Sequence, residues 1–513
     1  DVASFTLVAQ DAEGDAVEFL GETELAAILS ASQLPNLPAG LDYTVDSSTG
    51  LVTITATADL VGEHQVRVGV RKPGTTGADN TIDSQLISVT IGVITVDAGV
   101  EAGDGTADTL KLVRNGTSLE ILVNGVVSRS VAESLVHAVD LVGSSDDDSF
   151  IIDYSNGNVE SAGGVVIKGG TQQTTAGDSL TLQTGSFLTV THRFESASSG
   201  SVQAESNAPI VYSELEPISD SLLSGDRVFV FGDGDDEITI SDDGDDTNNT
   251  SRISSSNSSE TVDFRNPTGN ITIRAGEGND SVTATDIDPF ASPALNIEGE
   301  EGNDDLDASA LTSAVTLVGG TGDDTLTGGT ADDRLNGQAG NDVVSGQTGN
   351  DSLLGGAGRD RLDGGDGNDR LLAQGNCDTL IGSGGSDLLS GGIGTDRLSA
   401  SSDADMTLTD SQLIIGGDTQ TLLAVNRASL AGGPAANALD ASGFTGPTTL
   451  SGAAGNDTLT GSTTPDVITL LKEVVDDDQT LTDSSLTTGD GVTEIDVLAN
   501  IDRARLTGGA TGN

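Results

Sequence analysis

The chain is 513 residues long, enough for about three or four domains, and carries 81 acidic against 21 basic residues, a formal net charge of −60. That charge excludes nucleic acid as a partner and disfavours anionic membrane surfaces, because phosphates would be repelled. No apolar run is long enough for a transmembrane helix. With Cys377 as the single cysteine, no tryptophan and only Phe444 as an aromatic after Phe290, the second half has neither a disulfide framework nor the makings of a stacking pocket.

Residues 1–96 show strand-like alternation over 4–9, 50–56, 64–70 and 85–96, with turn chemistry at 36–40 and 46–50, which predicts a β-sandwich. The stretch 22–32 reads as a short helix. The run Asp11-Ala12-Glu13-Gly14-Asp15-Ala16-Val17-Glu18-Phe19, followed by Leu37-Pro38-Ala39-Gly40-Leu41, resembles bacterial cadherin-like and immunoglobulin-like surface domains. Asp11, Glu13 and Asp15 read first as a solvated turn and second as a Ca²⁺ site between domains.

Residues 97–225 predict a β-rich, solenoid-like domain, with strands at 119–124 and 164–168 and at Leu110 and Phe150, each after a glycine-aspartate turn. Residues 226–318 repeat that layout as a degenerate β-roll or β-solenoid. Gly276-Glu277-Gly278-Asn279-Asp280 and Gly302-Asn303-Asp304 are isolated turns that make Asp280 and Asp304 candidate Ca²⁺ ligands. The polar stretch 248–260 reads as a loop or insertion.

From 319 to 399 the chain is nine nonapeptides end to end. The sixth place is always aspartate: Asp324, Asp333, Asp342, Asp351, Asp360, Asp369, Asp378, Asp387 and Asp396. The eighth is always Leu or Val, the first is glycine in eight of nine and the fourth in seven of nine. Six residues form a glycine-rich turn and three form a short strand whose middle side chain alone points inward. Two nonapeptides make an 18-residue coil, and stacked coils pair as parallel strands. One aliphatic side chain per nine residues buries too little to offset the ordering of nine backbones. Stacking also aligns the aspartates into like-charge columns, so cations are required. Carboxylates and carbonyls are hard oxygen ligands that suit Ca²⁺ better than Zn²⁺ or copper, and better than Mg²⁺ with its strict octahedron.

The pattern Gly-Gly-x-Gly-x-Asp-x-(Leu/Val)-x resembles the repeats-in-toxin (hemolysin-type) calcium-binding β-roll. The resemblance implies multiple Ca²⁺ ions held between neighbouring coils by sixth-place carboxylates and turn carbonyls, with repeat n joined to repeat n+2 and roughly seven full sites. The seventh repeat, 373–381, departs most, with Ala373 and Asn376 in glycine places and Cys377 in its turn. The fold class expected is all-β, an N-terminal β-sandwich followed by a parallel β-roll or β-solenoid with tandem calcium-binding turns.

Residues 401–513 predict further solenoid repeats. The stretch 306–328 aligns without a gap to 439–461, and Asp457 and Asp466, nine apart and each followed at +2 by an aliphatic residue, predict a short second β-roll. Thr407-Leu408-Thr409-Asp410-Ser411 recurs as Thr480-Leu481-Thr482-Asp483-Ser484, and the echo of 426–433 at 502–509 ends inside a repeat at Asn513. The natural polypeptide is therefore expected to be longer.

No catalytic signature appears. His64, His137 and His192 are isolated, His-Glu-x-x-His and Gly-x-Ser-x-Gly are absent, and the periodic carboxylates lack the cleft a glycosidase needs. The expectation is a non-enzymatic, secreted, bacterial cell-surface protein: a calcium-dependent surface layer, filament, matrix component or adhesin that associates with itself or with other matrix proteins. The alternative is the calcium-binding export portion of a secreted enzyme or toxin whose catalytic domain lies elsewhere. A carbohydrate-binding module is disfavoured by the shortage of aromatics.

Overall fold

In the computed structural model of the chain, the nine-residue period becomes two long parallel sheets. Side chains and main chain are described over 93–99 and 106–463, apart from 171–176, 197, 246, 257–260, 286, 288–292 and 454, and the main chain alone for 100–101 and for strands within 2–91 and 469–508. The stretch 22–32, the turns at 36–40 and 46–50, Asp11, Glu13, Asp15 and Asp466 lie outside the described residues. The protein is all-β. Among the described residues, helix is limited to the single turns Ala98–Glu101 and Glu133–Leu135, and no helix is long and apolar enough to cross a membrane.

Two compact units, Asp1–Leu223 and Ser224–Asn513, divide the chain. The first begins with two three-stranded antiparallel sheets. One contains Val2–Thr6, Leu51–Ala56 and Leu41–Val45, and the other Glu18–Leu20, Gly62–Arg71 and Asp83–Ile91. The chain then changes to parallel stacking. Val93–Asp97, Ala138–Val142, Val165–Lys168 and Ile210–Ser213 form one stack. Thr109–Asn115, Ser149–Asp153, Ser179–Gln183 and Ile218–Asp220 form the other. Strands in both alternate buried and half-buried positions, so Leu110, Phe150 and Leu180 enter the core while their neighbours face out.

In the second unit the odd-numbered nonapeptides feed one sheet and the even-numbered ones the other. Thr325–Thr327, Val343–Ser345, Arg361–Asp363, Thr379–Ile381 and Arg397–Ser401 pair in sequence, each residue with the one 18 further on. Val315–Thr321, Arg334–Ala339, Ser352–Ala357, Arg370–Asn376 and Leu388–Ser390 do the same opposite them. The eighth-place residues, such as Leu326, Val344, Leu362 and Leu380 on one side and Leu335, Leu353, Leu371 and Leu389 on the other, are buried in a thin core between the sheets. The described part of the stretch 248–260, residues 248–256, belongs to an antiparallel excursion. Glu237–Asp242, Thr250–Ser255 and Thr261–Arg265 form a meander that leaves the stack and returns, because Ser251, Ile253 and Ser255 are buried in alternation with Thr250, Arg252 and Ser254, a period-two pattern carried through the polar composition.

Glycine at the fourth place is set by contact between coils. Gly340, Gly358 and Gly367 have φ of +149°, +146° and +152°, and a Cβ on any of them would sit 1.6 Å from the carbonyl oxygen of the fourth-place residue one coil earlier. The second place is less strict, since Gln338, Gln347 and Gln374 occupy it with φ of +74°, +74° and +78°. Replacing Gly358 by Ala is accordingly expected to cost about 3 kcal/mol or more. Urea unfolding in saturating Ca²⁺ measures this, and an unchanged midpoint would remove the contact as the reason for the glycine.

Candidate metal centre

Each sixth-place aspartate immediately precedes a strand and is linked to the main chain of its neighbours. The Asp324 amide donates to Asp342 Oδ1 at 3.0 Å, Asp342 to Asp360 at 3.1 Å, Asp360 to Asp378 at 2.9 Å and Asp378 to Asp396 at 3.0 Å. On the other side the Asp333 amide donates to Asp351 Oδ1 at 2.8 Å, Asp351 to Asp369 at 2.8 Å and Asp369 to Asp387 at 2.9 Å. All nine are buried, with exposures of 0–3%.

The isolated turns join the first column. Asp236 donates its amide to Asp280 Oδ1, Asp280 to Asp304 and Asp304 to Asp324, at 2.7, 2.9 and 2.9 Å. Asp457 is likewise buried and accepts the Asn437 amide at 2.7 Å. The seventh repeat keeps the geometry despite its sequence: Asn376 takes the left-handed fourth place with φ of +76°, and Asp378 stands in line with the rest.

One carboxylate oxygen is used in this way and the other is not. Oδ2 of Asp280, Asp304, Asp324, Asp342, Asp351, Asp360, Asp369, Asp378, Asp387 and Asp396 is buried without a hydrogen-bond partner. Asp333 differs, because Gly329 donates its amide to Oδ2 at 2.6 Å. Where the first place is glycine, as it is for all of these but Asp280 and Asp378, which have Ala275 and Ala373 there, Oδ2 lies against it: a Cβ on Gly319, Gly337, Gly346 or Gly364 would fall 2.2, 2.2, 2.3 or 2.3 Å from Oδ2 of its own repeat. The first-place glycine thus leaves room for the carboxylate and for whatever meets it. Gly452 stands 2.3 Å from Asp457 Oδ2 by the same measure, so the copy of 306–328 at 439–461 is structural as well as textual.

The electrostatics are unfavourable for the chain alone. Burial pushes Asp280, Asp324, Asp351, Asp360 and Asp387 up to about 7, and Asp369 and Asp378 up to about 6. The amide hydrogen bond from the preceding coil opposes the rise, and nearby carboxylates add to it. Asp304, Asp333, Asp342 and Asp396 are raised by burial as well. A buried ionic oxygen with no partner is costly, and a hard divalent cation is the partner that fits. Among the described residues no three or more carboxylate, imidazole or thiol side chains converge on one point. Main-chain carbonyls stand close by instead, Gly364 O near Asp351 Oδ2 and Gly319 O near Asp304 Oδ2 about their first-place glycines, and carboxylate with carbonyl is an oxygen-only combination of the kind that suits Ca²⁺.

Four stretches, 316–344, 337–371, 378–406 and 442–469, match the family of the RTX calcium-binding nonapeptide repeat. They are calcium-binding RTX repeats. No curated protein matches the chain. The last RTX match covers Asp457 and Asp466, and the first three span all nine repeats apart from 372–377.

Sequence reasoning missed three parts of the site. Neutral amides end both columns: Asn426 Oδ1 accepts the Asp396 amide at 2.6 Å, and the buried Gln420 stands in register with Asp387, since Leu388 pairs with Thr421. An exposed second ladder runs along the fifth place in the opposite sense. Asp323 Oδ1 accepts the Asn341 amide at 2.7 Å, and Asn341 Oδ1 the Arg359 amide at 3.0 Å. On the other side Asp332 accepts from Asn350 at 2.7 Å and Asn350 from Asn368 at 3.0 Å. The preference for Asn or Asp at the fifth place was the available signal. The third part is the Asp236 amide, which starts the first column from outside any complete nonapeptide.

Proposed function

We propose that the chain is a calcium-dependent, extracellular structural or adhesive protein, with a structural rather than catalytic role, in which the RTX roll acts as a stiffening segment. The observation that carries this reading is the pair of buried carboxylate columns with unmet Oδ2 atoms beside a core to which each nonapeptide gives one eighth-place aliphatic side chain. A cation bound there supplies the positive charge that the columns lack. The sixth-place aspartates hold the coils in register through Oδ1, the first-place glycines keep the approach to Oδ2 open, and the fifth-place amides tie the outer edge. Millimolar Ca²⁺ outside a cell would favour the folded roll, and submicromolar Ca²⁺ inside would leave it unfolded for export, because an ion that binds only the folded form stabilises it by mass action.

The structural reading is favoured over an export tail by continuity. Within this chain the stack does not end with the ninth repeat. Arg397–Ser401 passes its pairing to Arg427–Ala431 and then to Thr448–Ser451, so the roll stiffens the middle of a longer solenoid. Self-association, through solenoid faces or ends, is the partner class this supports. Electron microscopy and light scattering of the full chain test it. Ordered filaments or lattices that form in millimolar Ca²⁺ and disperse in chelator are expected, whereas discrete monomers under both conditions would overturn the reading.

A further inference from the structure

In the first unit Asp108, Asp148 and Asp178 keep no nine- or eighteen-residue spacing, yet one of them is built like those of the roll. Asp178 is fully buried. Its Oδ1 accepts the Asp148 amide at 2.6 Å, just as Asp148 Oδ1 accepts the Asp108 amide at 2.7 Å. Asp148 satisfies its second oxygen locally, taking the Ser144 amide on Oδ2 at 2.5 Å. Asp178 Oδ2 is buried with no hydrogen-bond partner.

The surroundings of that oxygen match those in the roll. A Cβ on Gly169 would fall 2.6 Å from Asp178 Oδ2 and 2.0 Å from the Glu214 carbonyl oxygen. In the roll, a Cβ on Gly346 would fall 2.3 Å from Asp351 Oδ2 and 2.6 Å from the Gly364 carbonyl, and one on Gly299 would fall 2.2 Å from Asp304 Oδ2 and 2.5 Å from the Gly319 carbonyl. A glycine, an unmet carboxylate oxygen and a carbonyl from the next coil therefore meet in the same way. Beside them a cleft of about 300 Å³ is lined by Gly170, Ser198, Glu214 and Glu216. Glu216 touches the aspartate directly, donating its amide to the Asp178 carbonyl at 2.6 Å.

We propose that the first unit holds a calcium site of its own at Asp178, outside the matched repeats, with Asp178 Oδ2 and the Glu214 carbonyl oxygen as ligands and the Glu214–Glu216 cleft as its acidic approach. A carboxylate and carbonyls are the oxygen donors a hard divalent cation takes, and the ion would clamp the coil of Asp178 to that of Glu214. This inference stands apart from the role of the roll in the second unit.

The tyrosines allow a selective test. Tyr43, Tyr154 and Tyr212 are the only tyrosines, tryptophan is absent, and all three precede the second unit. Tyr212 is buried two residues before Glu214. Tb³⁺, a luminescent stand-in for Ca²⁺, is added to the full chain and excited through tyrosine, a short-range transfer whose donors all belong to the first unit. Sensitised emission is expected in the native chain, displaced by added Ca²⁺. It should be lost in Asp178→Asn, which keeps the Oδ1 acceptor, and strongly reduced in Tyr212→Phe. Near-UV circular dichroism of the tyrosines shows whether Asp178→Asn remains folded. If it does not, Ca²⁺ displacement in the native chain and the loss in Tyr212→Phe decide the question. Absence of sensitised emission from the native chain would overturn the site, as would emission unchanged in folded Asp178→Asn or in Tyr212→Phe. A roll that ignores Ca²⁺ in far-UV measurements would leave this result standing, so the two readings fail separately.

Discussion

Transfer of the chain into chelator is expected to abolish the strand signal of residues 319–399 in far-UV circular dichroism, and return of Ca²⁺ to restore it. The reason lies in what each coil contributes by itself. It buries one Leu or Val per nonapeptide, such as Leu362 and Leu371, and it also buries one carboxylate oxygen per nonapeptide with nothing to meet it, as at Asp360 and Asp369. The apolar contribution is at most ~3 kcal/mol per side chain, and the unmet oxygens work against it. Each ion that binds only the folded roll adds about 2.7 kcal/mol at a hundredfold excess over its dissociation constant. Several such sites make calcium the largest single term in the stability of this segment.

The same argument predicts a graded variant. In Asp360→Asn the side-chain oxygen can still accept the Asp342 amide, so the register survives, but the second oxygen is replaced by an amide NH₂. The Ca²⁺ midpoint for folding should rise and its steepness fall, because coils in a stack respond through their neighbours. Limited proteolysis should then cut first near 360. A circular dichroism spectrum indifferent to chelation would sink the metal account, and a variant titrating like the native chain would show that Asp360 is not a ligand.

The parts of this site that could be read from sequence are those in which spacing was preserved. From Asp324 to Asp396 nothing interrupts the nine-residue step, so coil length, sheet pairing and the inward direction of the eighth place followed from the period alone. Elsewhere the stack persists while the spacing does not. Asp148 and Asp178 are linked amide to carboxylate over 30 residues, with the long connection 154–164 between Ser149–Asp153 and Val165–Lys168, and Asp108 and Asp148 over 40, because the hairpin Ser118–Val123 with Val126–Ala132 leaves the coil and returns. Asp236 reaches Asp280 across 44 residues for the same reason. A solenoid needs each coil to come back to its place in the stack, not to take a fixed number of residues in doing so. Asn426 and Gln420 were hidden for a different reason. They occupy the aspartate place without a carboxylate, and an amide gives no periodic signal where a charged column has to end.

Acid is expected to have opposite effects on the roll with and without calcium. For the chain alone, burial holds Asp324, Asp351, Asp360 and Asp387 at about 7 and Asp369 and Asp378 at about 6, far above the ~3.9 of an unfolded aspartate. The folded form therefore keeps protons that the unfolded form has released. The stability these groups contribute is fully present below about pH 4 and is lost as pH rises through 6 to 7. With Ca²⁺ bound, the carboxylates must be ionised to act as ligands, protons compete with the metal, and stability rises over the same interval. Protein freed of metal and kept in resin-treated buffer should thus keep more of the far-UV strand signal at pH 5 than at pH 7.5, where removal of the metal abolishes it, and in millimolar Ca²⁺ the sample at pH 7.5 should be the more stable one. General self-repulsion of a chain with net charge −60 also favours the acidic sample, but it does so in both arms and so cannot produce a reversal. Curves that rise together with pH in the two conditions would mean that the columns stay ionised without a cation, and that their burial is offset by something other than calcium.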